Sequence, residues 1–167
     1  MKLLILLAVA AFGCGKEIGD DCIVSTDCDT GGGLYGTVAT NRICELSMPS
    51  GYCTIMGCDY NTCPSEAACV RFFSGEFENR LCDPTTEGTS TFDCSLDELC
   101  DLQGHCVPRS AEIRYCMRKC SSDGDCRDGY ECRDLQKMID HGGEPVLAPG
   151  AIVDDHAPKF CAAKPAA

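Results

Sequence analysis

The chain has 167 residues, 17 of them cysteine, and a formal charge of −12. That cysteine density belongs to disulfide scaffolds rather than to ordinary intracellular domains. The acidic balance argues against an electrostatically driven nucleic-acid binder, which needs a basic surface, and equally against adsorption on an anionic lipid surface.

The hydrophobic complement is thin. From Cys14 onward, Leu, Ile, Val and Phe supply 26 of 154 residues, fewer than a strongly charged chain needs to fold by burial alone. A disulfide that closes a loop of about 15 residues contributes about 3 kcal/mol, so eight of them can replace the missing core. The composition therefore predicts a small disulfide-rich fold, loop-rich, with short β-hairpins, one or two helical turns and little hydrophobic core.

The chain opens with Met1-Lys2 and an unbroken apolar run over 3–11. A bilayer span needs about 20 apolar residues, so this run reads as an export signal, not a membrane helix. Two cleavage points compete, one after the small-x-small site Ala8-Val9-Ala10 and one directly before Cys14. Cleavage after Ala10 leaves 17 cysteines and an odd thiol, whereas setting Cys14 aside leaves 16 that can all pair. The Gly13-Cys14 step resembles the lipobox of bacterial lipoproteins, in which a small residue precedes a lipidated cysteine. That resemblance implies a signal peptide over 1–13, acylation of Cys14 (palmitate among the expected chains), and a polar tether over 14–21. Gly15 after that cysteine implies the outer membrane.

Beyond the tether, cysteines stand at 22, 28, 44, 53, 58, 63, 69 and 82, then at 94, 100, 106, 116, 120, 126, 132 and 161. Counted as intervening residues, the first eight read 5, 15, 8, 4, 4, 5, 12 and the second eight read 5, 5, 9, 3, 5, 5, 28. Five of the seven intervals agree within one residue, and flanking residues agree too: Asp21 with Asp93, Tyr52 with Tyr115, Leu81 with Phe160. The pattern predicts two tandem eight-cysteine modules, 22–82 and 94–161, joined by a Thr/Gly/Pro-rich linker over 83–93 and followed by a tail over 162–167. The discordant intervals hold insertions, a glycine-rich tip after Asp29 and a long loop over 133–159 with turns at 141–145 and 147–150.

Regular structure is expected to be sparse. The run Val70-Arg71-Phe72-Phe73, then Ser74-Gly75 and 76–81, predicts a small hairpin. Ser95 and Glu98 frame a capping box, which predicts helical turns over 95–102, and 110–117 offers another.

The chemical constellations favour structure over catalysis. Zinc sites use C-x2-4-C pairs, yet C-x5-C prevails here and C-x2-C does not occur. In an exported chain such thiols pair. Asp123, Asp125 and Asp128 invite a calcium reading, but Arg127 and Asp128 stand where an EF-hand loop needs a ligand and a glycine, so turn formation between framework cysteines is preferred. Among His105, His141 and His156, the last two with Asp154 and Asp155 offer a transition-metal set in the long loop; solvated loop residues explain them as well. There is no nucleophile elbow and no H-E-x-x-H, and pairing of sixteen cysteines leaves no reactive thiol. No enzyme activity, metal or other cofactor is expected.

With these residues in view, the whole chain resembles the cysteine-rich predicted lipoproteins of Gram-negative bacteria. The segment C-S-S-D-G-D-C-R-D-G-Y-E-C over 120–132 is also similar to an element of small extracellular modules of the Dickkopf and whey-acidic-protein types. Spacing alone leaves 105 pairings open for each set of eight cysteines. The interlocked style of such modules implies Cys22–Cys44, Cys28–Cys53, Cys58–Cys69 and Cys63–Cys82, then Cys94–Cys106, Cys100–Cys116, Cys120–Cys132 and Cys126–Cys161. The function expected is that of an exported, lipid-anchored surface protein with a structural or protein-interaction role, touching the membrane through its N-terminal lipid and a protein partner of unknown identity. The alternative is an exported inhibitor or ligand-binding module that uses the 133–159 loop.

Overall fold

The computed structural model describes residues 15–28, 42–75, 80–85 and 94–165. Among them, short strands and turns dominate. In order they are β1 (Ile43–Cys44), β2 (Cys53–Thr54), β3 (Ala67–Phe73), β4 (Glu98–Cys100), β5 (Cys106–Pro108), β6 (Glu112–Arg118) and β7 (Tyr130–Arg133). The helix α1 (Leu135–His141), β8 (Glu144–Pro145) and β9 (Phe160–Ala163) follow. Turns of 3-10 helix occupy Ser25–Cys28, Arg109–Ala111 and Asp123–Asp125.

Eight disulfides, with Cα separations of 5.4–5.9 Å, use every cysteine from 22 to 161. They sort into four units of four, namely 22/28/44/53, 58/63/69/116, 82/94/100/106 and 120/126/132/161. In every unit the first cysteine bonds the third and the second bonds the fourth. The third and fourth also face each other across antiparallel strands: Cys44 and Cys53 on β1/β2, Cys69 and Cys116 on β3/β6, Cys100 and Cys106 on β4/β5, Cys132 and Cys161 on β7/β9. Three of the four sulfurs in each unit lie within 4.8 Å of one another. A lone two-stranded ribbon is marginal in water, and this pair of crossed bridges supplies what its side chains cannot.

The architecture corrects several expectations. Cys63 bonds Cys116 instead of Cys82, and Cys100 bonds Cys82 instead of Cys116. The reason is the partner of β3. It pairs in seven-residue register with β6, from Ala67 opposite Arg118 to Phe73 opposite Glu112, and this sets Cys69 face to face with Cys116. Strands from the two expected tandem modules thus share one ladder and one bridge. The third unit is nested inside the second, between Cys69 and Cys116. Cys82 and Cys94, on either side of the expected linker, belong to one unit; 86–93 lie outside the described residues.

The expected hairpin from 70–73 into 76–81 is replaced by the sheet β6-β3-β8; 76–79 lie outside the described residues. The Ser95 amide does donate to Glu98 Oε2 at 2.8 Å, yet no helix follows, since Cys100 is bridged to Cys82 and paired opposite Cys106 in β4/β5. Likewise 112–117 is strand, not helix. The tether is docked: Ile18 is fully buried, Gly19 donates to Cys53 O at 2.9 Å, and Cys53 donates to Asp20 O at 2.9 Å. The tail begins inside β9, where Ala162 is buried.

One side-chain cluster joins the first, second and fourth units. The residue before the fourth cysteine is Tyr52, Tyr115 or Phe160 in these units, and all three enter that cluster with Ile18, Val70, Met117, Tyr130 and Met138. Strand alternation sends each ring to the face opposite its neighbouring sulfur. The Tyr52 and Tyr130 rings lie 5.4 Å apart, and the Arg127 guanidinium sits 4.2 Å over Tyr130 and 5.5 Å over Tyr52. It also donates to Pro49 O at 3.0 Å, to the Tyr130 hydroxyl at 2.7 Å, and to Gly51 O. The Tyr52 hydroxyl accepts from the Arg118 amide at 3.0 Å and donates to Cys161 O at 3.3 Å. Burial pushes that hydroxyl far above the ordinary phenol range. Gly51 must be glycine: its φ is +64°, and a Cβ there would stand 2.1 Å from Cys22 O.

Candidate functional site

The acidic turn over 123–128 serves the framework. Asp125 Oδ2 accepts from the amides of Ser121 and Ser122 at 2.8 and 2.9 Å, which closes the loop between the first two cysteines of the fourth unit. Asp27 does the same in the first unit, accepting from Ile23 and Val24 at 2.8 and 3.1 Å. Asp123 accepts from the Cys132 amide at 2.8 Å and pairs with Lys137 Nζ at 2.8 Å. The Lys137 contact and then the Cys132 amide hold Asp123 below the usual carboxylate range, and the two serine amides do so for Asp125. Asp128 makes no contact of this kind with them. Among the described residues, groups of three or more His, Cys, Asp or Glu with ligand atoms within 4.8 Å of one another consist of disulfide-bonded cysteines alone. The acidic trio and the His141/His156 set are therefore not assembled as metal sites; His156 is exposed beside Asp155.

His141 belongs to a different arrangement. Asp134 caps α1 by accepting from the Lys137 amide at 3.1 Å, and Met138 turns into the core. The helix ends at Gly142 and delivers His141 beside β7. There the buried Glu131 carboxylate lies 2.7 Å from His141 Nδ1, 3.2 Å from Arg133 Nε and 4.0 Å from Lys137 Nζ. The Glu131 carboxylate can only accept, so Nδ1 carries the hydrogen in this contact. Arg133 spends its other donors on the carbonyls of His141, Gly142 and Ala163 at 2.7–2.8 Å. Burial lowers its guanidinium pKa, and Glu131 opposes that shift.

This knot backs a cavity of about 410 Å³ between the nested third unit and the α1–β8 corner. Phe72, Phe73, Leu102, Val107 and Met138 give it apolar walls, while Asp101, Gln103, His105, His141 and Glu144 give it polar atoms. The corner is tightly fitted: Gly143 has φ +76°, and a Cβ would approach Phe72 to 2.6 Å. Glu144, on β8 beside β3, is buried and sits 3.1 Å from Arg71 Nε. Asp101, also buried, accepts from the His105 amide through Oδ1 at 2.9 Å, with His105 Nδ1 3.9 Å away.

Of the residues singled out in the sequence, the structure brings His105 and His141 to this cavity and leaves His156 and the acidic turn elsewhere. Asp101, Gln103, Glu131 and Glu144 carry no motif. The helix that places His141 did carry a signal, an aspartate before Leu135, Met138 and Ile139 with glycine after His141.

Among the described residues no helix is long and apolar enough to cross a membrane. Eight disulfides mark an exported protein matured in an oxidising compartment. Cys14 lies outside the described residues. No family model matches the chain, and neither a curated protein nor a solved structure does.

Proposed function

We propose that the protein is an exported lipoprotein of the outer membrane that acts by interaction at the surface, not by catalysis. The cysteine inventory carries this reading. The bridges consume all sixteen cysteines from Cys22 to Cys161, which leaves Cys14, next to Gly13 in the lipobox-like stretch, as the odd one. Mass spectrometry of protein purified from its own membranes tests it. The expected N-terminal peptide starts at an acylated Cys14, and the remaining chain carries no free thiol. An unmodified N-terminus at Ala11 refutes the anchor, and free thiols refute the framework.

The cavity supports a second reading, a ligand-binding module that uses the 133–159 segment. One wall of the cavity is the α1–β8 corner of that segment. A photoreactive residue at the exposed Pro149 is expected to crosslink a partner on cells, while one at Tyr60 does not. Equal yields from both positions remove this reading.

A further inference from the structure

We propose that the cavity between the third unit and the α1–β8 corner binds an alkylammonium or alkylguanidinium cation, presented by a lysine or arginine of a partner protein or by a free amine. The inference deepens the ligand-binding reading of 133–159 and rests on it.

The argument is the polarity of the polar atoms. Arg71 already sits on Glu144 at 3.1 Å, so that carboxylate has its cation. Asp101 has no lysine or arginine: Oδ1 accepts from the His105 amide with His105 Nδ1 3.9 Å away, Oδ2 has no hydrogen bond, and the residue is only 7% exposed. A carboxylate oxygen that lines a cavity without a hydrogen bond from the chain gains from a charged donor. His141, its Nδ1 2.7 Å from Glu131, forms part of the wall. Gln103 adds an amide with no hydrogen bond to the chain at the mouth, its Oε1 directed to the Gly142 side. Asp101 and Gln103 thus offer acceptors to a donor in the cavity. Phe72, Leu102, Val107 and Met138 line the space around them, which suits a methylene stem and an aromatic contact with the cation. The volume fits such a group, and a chain of charge −12 draws cations toward it.

The test is a titration of the full disulfide-bonded protein with n-butylammonium, n-butanol, spermidine and a blocked Gly-Lys-Gly peptide, read by chemical-shift changes. Butylammonium is expected to saturate and to move Phe72, His105 and His141, while butanol at equal concentration does not. Asp101→Asn keeps the bond to the His105 amide but loses the charge, and is expected to weaken binding at least tenfold. Gln103→Lys, at an exposed position, places the chain's own ammonium at the mouth and is expected to weaken binding to a similar degree with the fold intact. Tighter binding of spermidine assigns the site to free amines, and tighter binding of the peptide assigns it to a protein side chain; both keep the proposal. Equal binding of butanol, no saturation, or Asp101→Asn and Gln103→Lys both matching the parent overturns it. Failure of the Pro149 crosslink with amine binding preserved rejects the partner reading alone.

Discussion

Removal of the bridge between Cys63 and Cys116 is the perturbation that separates an interlocked protein from two independent halves. The bridge spans 53 residues of sequence. The shortest covalent circuit it closes is shorter, about 35 residues, because the Cys82–Cys100 bond cuts across the nested unit. A loop of that size costs the unfolded chain about 4 kcal/mol of closure free energy, against about 3 kcal/mol for the 11-residue separation of Cys58 and Cys69. Cys116 is fully buried, so deletion of the sulfurs also leaves a small void. A loss near 4 kcal/mol is a large share of the stability of most domains. The assay is guanidinium unfolding of Cys63→Ala/Cys116→Ala without reductant, followed by the fluorescence of the five tyrosines, since the chain has no tryptophan. The parent is expected to unfold in one transition, and the variant with a much lower midpoint. Two transitions in the parent, each sensitive to cysteines of one half, or a loss below about 1 kcal/mol in the variant, would refute the shared β3/β6 ladder as the joint of the protein.

Further outcomes follow from particular contacts. Tyr52→Phe strands the Arg118 amide and Cys161 O in the core and is expected to cost about 1–3 kcal/mol in the same unfolding assay; an unchanged midpoint contradicts the hydroxyl's role. Ile18→Ala is expected to cost about 2–4 kcal/mol, and the Gly19 amide to exchange slowly, because 15–21 is docked; fast exchange at Gly19 restores the tether. Asp27, Asp123 and Asp125 all sit below their ordinary value of 3.8 in the folded protein. Their contribution is present above that value and fades as pH falls through the folded values, so stability declines from about pH 4 downward. Asp27→Asn/Asp125→Asn should flatten that decline, measured as the guanidinium midpoint against pH; an unchanged slope rejects the turn carboxylates as its source.

The exported, oxidising setting and the disulfide-rich, loop-rich class were legible because cysteine count and apolar content are properties of composition, and no tertiary detail alters them. The bridge Cys120–Cys132 is present as the resemblance implied, not as spacing alone could have fixed it. The two bridges that differ from expectation arise where one unit interrupts another: Cys82 and Cys94, on either side of what reads as a linker in one dimension, belong to one unit in three. Tyr52 and Tyr115 are equivalent as the aromatic before a fourth cysteine, in a repeat of four cysteines and not of eight. Ser95 and Glu98 formed their capping contact without a helix because two bridges fixed that segment as a hairpin. The cavity was invisible because Asp101, His105 and His141 come from segments that only the nested insertion brings together.

The crossed connectivity also governs how the chain must mature. No bridge joins two cysteines adjacent in sequence; each skips at least one, and Cys63–Cys116 skips five. A chain threaded outward from its N-terminus and oxidised as thiols emerge would link Cys22 to Cys28 and Cys58 to Cys63, neither of which is native. Every unit would then need its first bond broken and re-formed by thiolate attack, on the slow timescale of disulfide reshuffling. The second unit must in addition wait until Cys116 has left the translocation channel, after the whole third unit. Oxidative refolding with a disulfide isomerase is therefore expected to yield more native protein than an oxidant alone, which is expected to lock it in consecutively paired forms.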